Sequence, residues 1–283
     1  MSDPRLTPAR GDIAASHLKG KVGAKRFVDG ARLQVATAHA ALRAAPEDWA
    51  EQVNQALFGE TFVAYEQSKG WAWGQLETDG YVGWMALAAL SDRLTTPTHR
   101  VSALRTFVFD RPDLKSAPVL TLSMNARVAL GETEKGFARV EGAGAWIHPG
   151  HVAPLDRPEP DFVAVAERFL GAPYLWGGRD SIGLDCSGLV QMSMQAAGVQ
   201  VLRDSDMQAA SIGEPVVPAP DFSNLRRGDL VFWTGHVGVM LDATRLLHAN
   251  AWHMATEIEP LAAAIERIRP VAGDPVTVRR PNL

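Results

Sequence analysis

Apolar and polar residues alternate with two different rhythms along this chain. From Phe27 to Leu90, short runs with a period of two ("LQVATAHAALR", "TFVAYEQ", "WAWGQLE", "YVGWMAL") are punctuated by "SKG" and "ETDG". Successive side chains of a strand point to opposite faces, so this alternation between Gly- and Asp-bearing turns predicts a small antiparallel barrel or sandwich. Val101 to Leu155 repeats the arrangement. Aligned on their glycines, "KGWAWGQLETDGYVGWMALAAL" and "KGFARVEGAGAWIHPGHVAPL" each run Lys-Gly-aromatic, polar strand, Gly-rich turn, small residue, Trp and closing Leu, which puts Trp84 and Trp146 in equivalent places. A repeat of about sixty residues is too long for a solenoid and suits tandem small domains.

After Asp161 the period lengthens. "DFVAVAERFLG" sets Phe162, Val163, Val165, Ala166, Phe169 and Leu170 at helical spacing before Gly171, and "SGLVQMSMQAAGV" predicts a second helix ended by Gly198. "GDLVFWT", "HVGVML" and "RLLHANAW", the last two joined by a turn at Asp242 to Thr244, predict three successive antiparallel strands. Helix, helix, then sheet is the order of an α+β domain. With "SDRLTTPTHR" and the Pro-bearing "APLDRPEPD" as linkers, the expected organisation is an N-terminal arm at 1–25, small all-β domains at 26–92 and 99–155, and an α+β domain at 160–283. The arm, rich in Pro, Arg and Gly, is expected to lie over another surface or to be only partly ordered.

Composition narrows the function classes. At 283 residues, 46% hydrophobic and 21% charged, the chain reads as globular. A net charge of -4 without long like-charge runs gives no argument for nucleic acid or an anionic membrane, so the expected partner is a small molecule. The N-terminus "MSDPRLTPARGDIAASHLKG" has no apolar h-region, and no apolar run is long enough to span a bilayer; the expectation is a cytoplasmic protein. A single cysteine excludes an intrachain disulfide, which leaves the fold to its core.

That cysteine, Cys186, stands at the start of the second predicted helix. A helix N-terminus stabilises a thiolate, and imidazole is the side chain suited to proton transfer near neutrality. His236 opens one strand and His248 lies on the next, where a short hairpin sets them side by side; Cys186, His236 and His248 then form a nucleophile, base and orienter set. A lone cysteine is most often an inert buried residue. The polar, tight Asp185-Cys186-Ser187-Gly188 turn argues against that here. His253 competes for the third place, and spacing favours His248. His148 and His151 of "HPGH" lack a third ligand nearby and read as surface residues rather than a zinc site, so neither metal nor cofactor is expected.

"PYLWGGRDSIGLDCSGLVQ", "RDSDMQ", "RRGDLVFWTGHVGVML" and "LLHANAW" resemble the successive motifs of the NlpC-type papain-like cysteine peptidases, which cleave peptidoglycan stem peptides. The resemblance implies Cys186 as nucleophile, His236 as base and His248 as the third member. "NQALFGETFVAYEQSKGWAWGQLETDGYVGW" is similar to the SH3-like domain of γ-D-glutamyl-L-diamino acid endopeptidases, also called dipeptidyl peptidase VI. The implied architecture is two SH3-like barrels followed by a papain-like α+β peptidase. The implied substrate is a small peptide, L-Ala-γ-D-Glu-diamino acid, with a free N-terminal L-Ala, as met in murein peptide recycling. Neither the diamino acid nor the oligomeric state is specified by these residues.

The resemblance also implies an amine pocket. A free α-amino group is a cation, and a site that demands it supplies carboxylates and hydroxyls. Asp204 matches the position that binds the amine, with Ser205, Asp185 and Ser187 lining the same site, Tyr81 extended over the cleft, and Glu60 as a further acidic partner. Tyr174 is implied at the cleft near the thiolate. The plainer readings are a helix or turn cap for Asp204, barrel packing for Tyr81 and core packing for Trp176. The backbone N–H of Cys186 is the expected oxyanion donor. The same scaffold also suits an acyltransferase, another amidase, or an inactive module that only holds wall fragments; an intact Cys186, His236 and His248 set argues against the last.

Overall fold

In the computed structural model of the chain, which describes residues 3–282, both Lys-Gly pairs of the repeat form tight hairpin turns. Lys69 and Gly70 have φ of 48° and 84° and connect Ser68 to its strand partner Trp71. Lys135 and Gly136 have φ of 47° and 82° and connect Glu134 to Phe137. Paired positive φ values match the right-handed twist of the flanking strands, and glycine adopts one of them without steric cost.

The chain divides between Asp156 and Arg157 into two units. In the first, a seven-stranded antiparallel sheet runs in the order Gln52–Leu57, His39–Arg43, Val82–Ala86, Trp71–Leu76, Thr61–Ser68, Ala31–Val35, Leu90–Ser91. Residues 99–154 form a three-stranded and a five-stranded sheet instead of one continuous sheet. Trp84 is paired between Arg43 and Trp73, and Trp146 between Phe109 and Arg139. Each tryptophan thus lies on a strand held between an early and a late strand of its own segment.

The arm packs on the first sheet. The carbonyls of Arg5 and Leu6 accept from Val82 N and Gln75 Nε2 at 2.8 and 2.9 Å. Ile13, Ala14 and Ala15 are fully buried, and the Arg10 guanidinium lies 4.4 Å from the Trp73 ring centroid and 5.1 Å from that of Trp84. A cation over an aromatic face contributes about 1 kcal/mol. Arg10 also pairs with Asp12 and Glu66, so the arm is tied by apolar and ionic contacts together.

In the second unit the first helix is shorter than its periodicity predicts. Helix α1 spans Phe162–Glu167, capped by Asp161 Oδ1 accepting from Val163 N and Ala164 N, and irregular turns follow to Gly171. Helix α2, Cys186–Ala196, is buried along almost its whole length against α1 and the strands His236–Met240 and Arg245–Asn250. The sheet has six strands where the pattern predicts three: Glu214–Val216, Thr277–Arg280, Leu230–Trp233, His236–Met240, Arg245–Asn250, Ala255–Pro260. Asp242 Oδ1 accepts from Thr244 N and Arg245 N and forms the turn between the two strands that bear histidines.

Two further helices, α3 (Ser205–Ser211) and α4 (Leu261–Ala272), lie outside the predicted helix-helix-sheet order. The stripe Leu261, Ala264, Ile265 and Ile268 of α4 packs on Val231, Trp233, Met240 and Leu246. The Leu246 face of the sheet is therefore the one that α4 covers.

Candidate active site

The turn that carries Cys186 is built on a buried ion pair. Asp185, the N-cap of α2, accepts from Gly188 N at 2.7 Å and from Gly177 N at 2.8 Å. Its oxygens also receive both terminal nitrogens of Arg203, at 2.6 and 2.9 Å. Arg203 donates in addition to Ser187 Oγ at 2.9 Å and to Gly178 O at 3.1 Å. The Arg203 side chain is 1% exposed, so its charge depends on buried partners such as these rather than on water. A Cβ on Gly188 would stand 2.3 Å from Gly178 O, which is why glycine follows Ser187. From α3, Gln208 Nε2 donates to Ser187 O at 3.0 Å and fixes the same turn. Asp185 and Ser187, implied as lining for a substrate pocket, thus have their polar atoms committed to the frame beneath the cysteine.

Cys186 is buried, with the N–H groups of Val237 and Ser187 directed at its sulfur. Burial pushes the thiol up to about 12, the Asp185 carboxylate adds to this, and the Val237 N–H and Arg203 oppose it. Desolvation is the largest of these effects, and it favours the thiol over the thiolate. Val237 immediately follows His236, so the sulfur lies against the start of the His236–Met240 strand.

Thr234 and Gly235, the latter with φ of 74°, connect Trp233 to its partner His236. His236 Nε2 lies 2.8 Å from His248 Nδ1, and His248 Nε2 lies 2.7 Å from Glu259 Oε1. Glu259 is in turn paired with Arg267 of α4. Burial, reinforced by His248, pulls His236 down to about 3. Burial also lowers the fully buried His248, against the pull of Glu259. For Glu259 itself burial acts upward, but hydrogen bonds from His248 and Arg267 prevail and hold the carboxyl at about 2.

The sequence reading did not find Glu259, Arg267 or Arg203. Glu259 pairs with Leu246 and so lies diagonal to His248 on one face, within reach of a long side chain. Reading "ATEIEP" as a strand would have pointed to it.

The other expected residues are distributed as follows. Tyr174 is half-buried, with its N–H donating to Met254 O at 2.9 Å. Its phenol is raised by burial first and by Cys186 next, which places it within electrostatic reach of the sulfur. Trp176, readable as a core aromatic or as a cleft-lining residue, is 58% exposed and does not pack in the core. Asp204 occupies the N-cap position of α3 without a side-chain capping bond, and Ser205 beside it is buried. Tyr81 and Glu60 are buried in the N-terminal unit, where Tyr81 N donates to Asp79 Oδ1 and Leu57 N donates to Glu60 Oε2. His253 bonds to Asn250 rather than to His236. His148 Nδ1 accepts from Gly150 N, and His151 Nδ1 meets Thr106 Oγ1.

Glu259 also gives the fold an acid limb. Its folded-state pKa lies below the ordinary value of 4.5, so the stability that its ionisation contributes is complete above about pH 4.5 and is lost as pH falls toward 2. Glu259→Gln is expected to flatten the decline in urea midpoint between pH 5 and pH 3; an unchanged decline would show that the carboxylate contributes nothing to it.

A cysteine at the N-terminus of a buried helix, facing a strand whose first residue begins a chain of imidazoles, is the layout of papain-like thiol enzymes. Residues 171–266 match the NlpC/P60 family, and residues 42–90 match the bacterial dipeptidyl-peptidase Sh3 domain, so the chain carries an NlpC/P60 domain and a bacterial SH3 domain. It is 26% identical over 238 residues to a gamma-D-glutamyl-L-lysine dipeptidyl-peptidase of Bacillus cereus, covering 73% of this chain and 70% of that protein. It is 32% identical over 126 residues to dipeptidyl-peptidase 6 of Lysinibacillus sphaericus, covering 44% of each. A crystal structure of an NlpC/P60 family protein from Bacillus cereus shares the fold, with a TM-score of 0.73 and 21% identity over 88% of this chain and 99% of that one.

Proposed function

We propose that this protein is a cysteine endopeptidase that hydrolyses the γ-D-glutamyl bond to the diamino acid in peptidoglycan stem peptides bearing a free N-terminal L-Ala. The observation that carries this reading is the Cys186 sulfur against the Val237 N–H, next to a His236 whose Nε2 is already bonded to His248. The ring nitrogen left for the thiol is then Nδ1. Relatives named for γ-D-glutamyl-L-lysine cleavage support the choice of bond.

In this reading the Cys186 thiol gives its proton to His236 Nδ1 as sulfur bonds to the γ-carbonyl carbon of D-glutamate. The backbone N–H of Cys186, in the first turn of α2, receives the oxyanion. As the C–N bond breaks, His236 returns the proton to the leaving amine. Water then loses a proton to His236 and attacks the thioester, which frees the acid and restores the thiol. Asp204 and Ser205, at the N-terminus of α3, serve in this reading to bind the substrate's ammonium group. Residues 26–92 and 99–155 are tandem SH3-like modules in this reading, supported by their matching Lys-Gly turns and tryptophan pairings.

L-Ala-γ-D-Glu-meso-diaminopimelate is expected to be cut to L-Ala-γ-D-Glu and free diamino acid, followed by chromatography of the products. Acetylating the alanine nitrogen removes its charge, with an expected drop in kcat/KM on the order of 100-fold, the size of losing one charge-assisted contact. Survival of both peptides would refute the activity, and equal cleavage would refute the amine pocket.

A further inference from the structure

The His236 to His248 bond alone does not say which ring nitrogens carry protons. Glu259 decides this. A carboxylate can only accept, so His248 Nε2, 2.7 Å from Glu259 Oε1, must carry its hydrogen. Neutral His248 then has a bare Nδ1, which accepts from His236 Nε2 across 2.8 Å. That leaves His236 with a bare Nδ1, the tautomer able to take a proton from Cys186. With the opposite order, His248 would donate from Nδ1, and His236 would carry its hydrogen on Nδ1 and be unable to act as a base.

We infer that Glu259, held by Arg267, is a positioning residue that sets the tautomer of His248 and through it the base-competent tautomer of His236. The placement follows from the fold. Leu246, His248 and Glu259 share the sheet face that α4 covers, so Arg267 of that helix meets the carboxylate from above. Arg267 and His253 also bear on His248, and both disfavour a second proton on it; Glu257 is its direct cross-strand partner. The inference rests on the peptidase reading for its kinetic consequence, though not for the proton positions.

Two measurements on the full chain test it. Nitrogen-15 NMR of histidine-labelled wild-type protein near pH 7 is expected to show His248 protonated at Nε2 and bare at Nδ1; the reverse pattern overturns the inference. Glu259→Ala is expected to lower kcat on the order of 10- to 100-fold, the usual cost of losing an orienting partner, while KM stays within about twofold. An unchanged kcat, or a loss confined to KM, overturns it as well. If Cys186→Ala remains active, the peptidase reading fails while the NMR result stands by itself. If Cys186→Ala is inactive and Glu259→Ala is not, only the role of Glu259 fails.

Discussion

Cys186→Ala is expected to abolish hydrolysis of L-Ala-γ-D-Glu-meso-diaminopimelate, with kcat falling on the order of 10⁴-fold or more, as when a covalent nucleophile is removed. The change should leave the fold intact. Cys186 is a small buried residue whose neighbours are held by Asp185, Arg203 and Gln208 rather than by the thiol, so the urea midpoint is expected to move little. Burial favours the thiol form of the sulfur, and in this reading its proton passes to His236 during attack. Activity surviving in a folded Cys186→Ala protein would remove the nucleophile assignment and, with it, the proposed acyl-enzyme.

Arg203→Ala is expected to destabilise the C-terminal unit by about 3–5 kcal/mol in urea denaturation, because it strands the buried Asp185 carboxylate without its cation. The N–H groups of Gly177 and Gly188 remain as partners of Asp185 and place the loss toward the lower end. Adding Asp185→Asn should return part of the stability, since a neutral amide needs no counter-charge. Arg203 also opposes the rise of the Cys186 thiol, so in its absence alkylation by iodoacetamide at fixed pH should slow. A loss below about 1 kcal/mol would mean that the Gly177 and Gly188 N–H groups and admitted water compensate the Asp185 carboxylate without Arg203.

Much of the architecture was legible because it is local. The Lys-Gly turns, the two-residue rhythm around them and the Gly198 end of α2 follow from φ preferences and side-chain alternation within a few residues. The placement of His236 and His248 was legible for a related reason. The Asp242 turn fixes the register of two neighbouring strands, and their ring nitrogens stand 2.8 Å apart. Helix α4 and the outer strands were missed: Ala255–Pro260 is half polar, and Thr277–Arg280 inserts beside Leu230–Trp233 by a pairing that no local period announces. Residues 99–154, for which the repeat predicts a small barrel or sandwich, form a three-stranded and a five-stranded sheet.

Asp185 and Ser187 show most clearly where the sequence reading stops. In the string "DCSG" an acid and a hydroxyl beside the cysteine look available to a ligand. Only the folded chain brings Arg203 against both and encloses them. The sequence by itself determined the class of fold in each half, the helix that carries Cys186 and the spacing of the two histidines, because each depends on neighbours along the chain. The tertiary structure alone decided that Asp185 is a buried counter-ion, that Glu259 and Arg267 complete the histidine chain, and that Cys186 is buried where desolvation favours the thiol. Those outcomes depend on which distant segments share a sheet face and on how much water they exclude, and neither is a property of any short stretch of sequence.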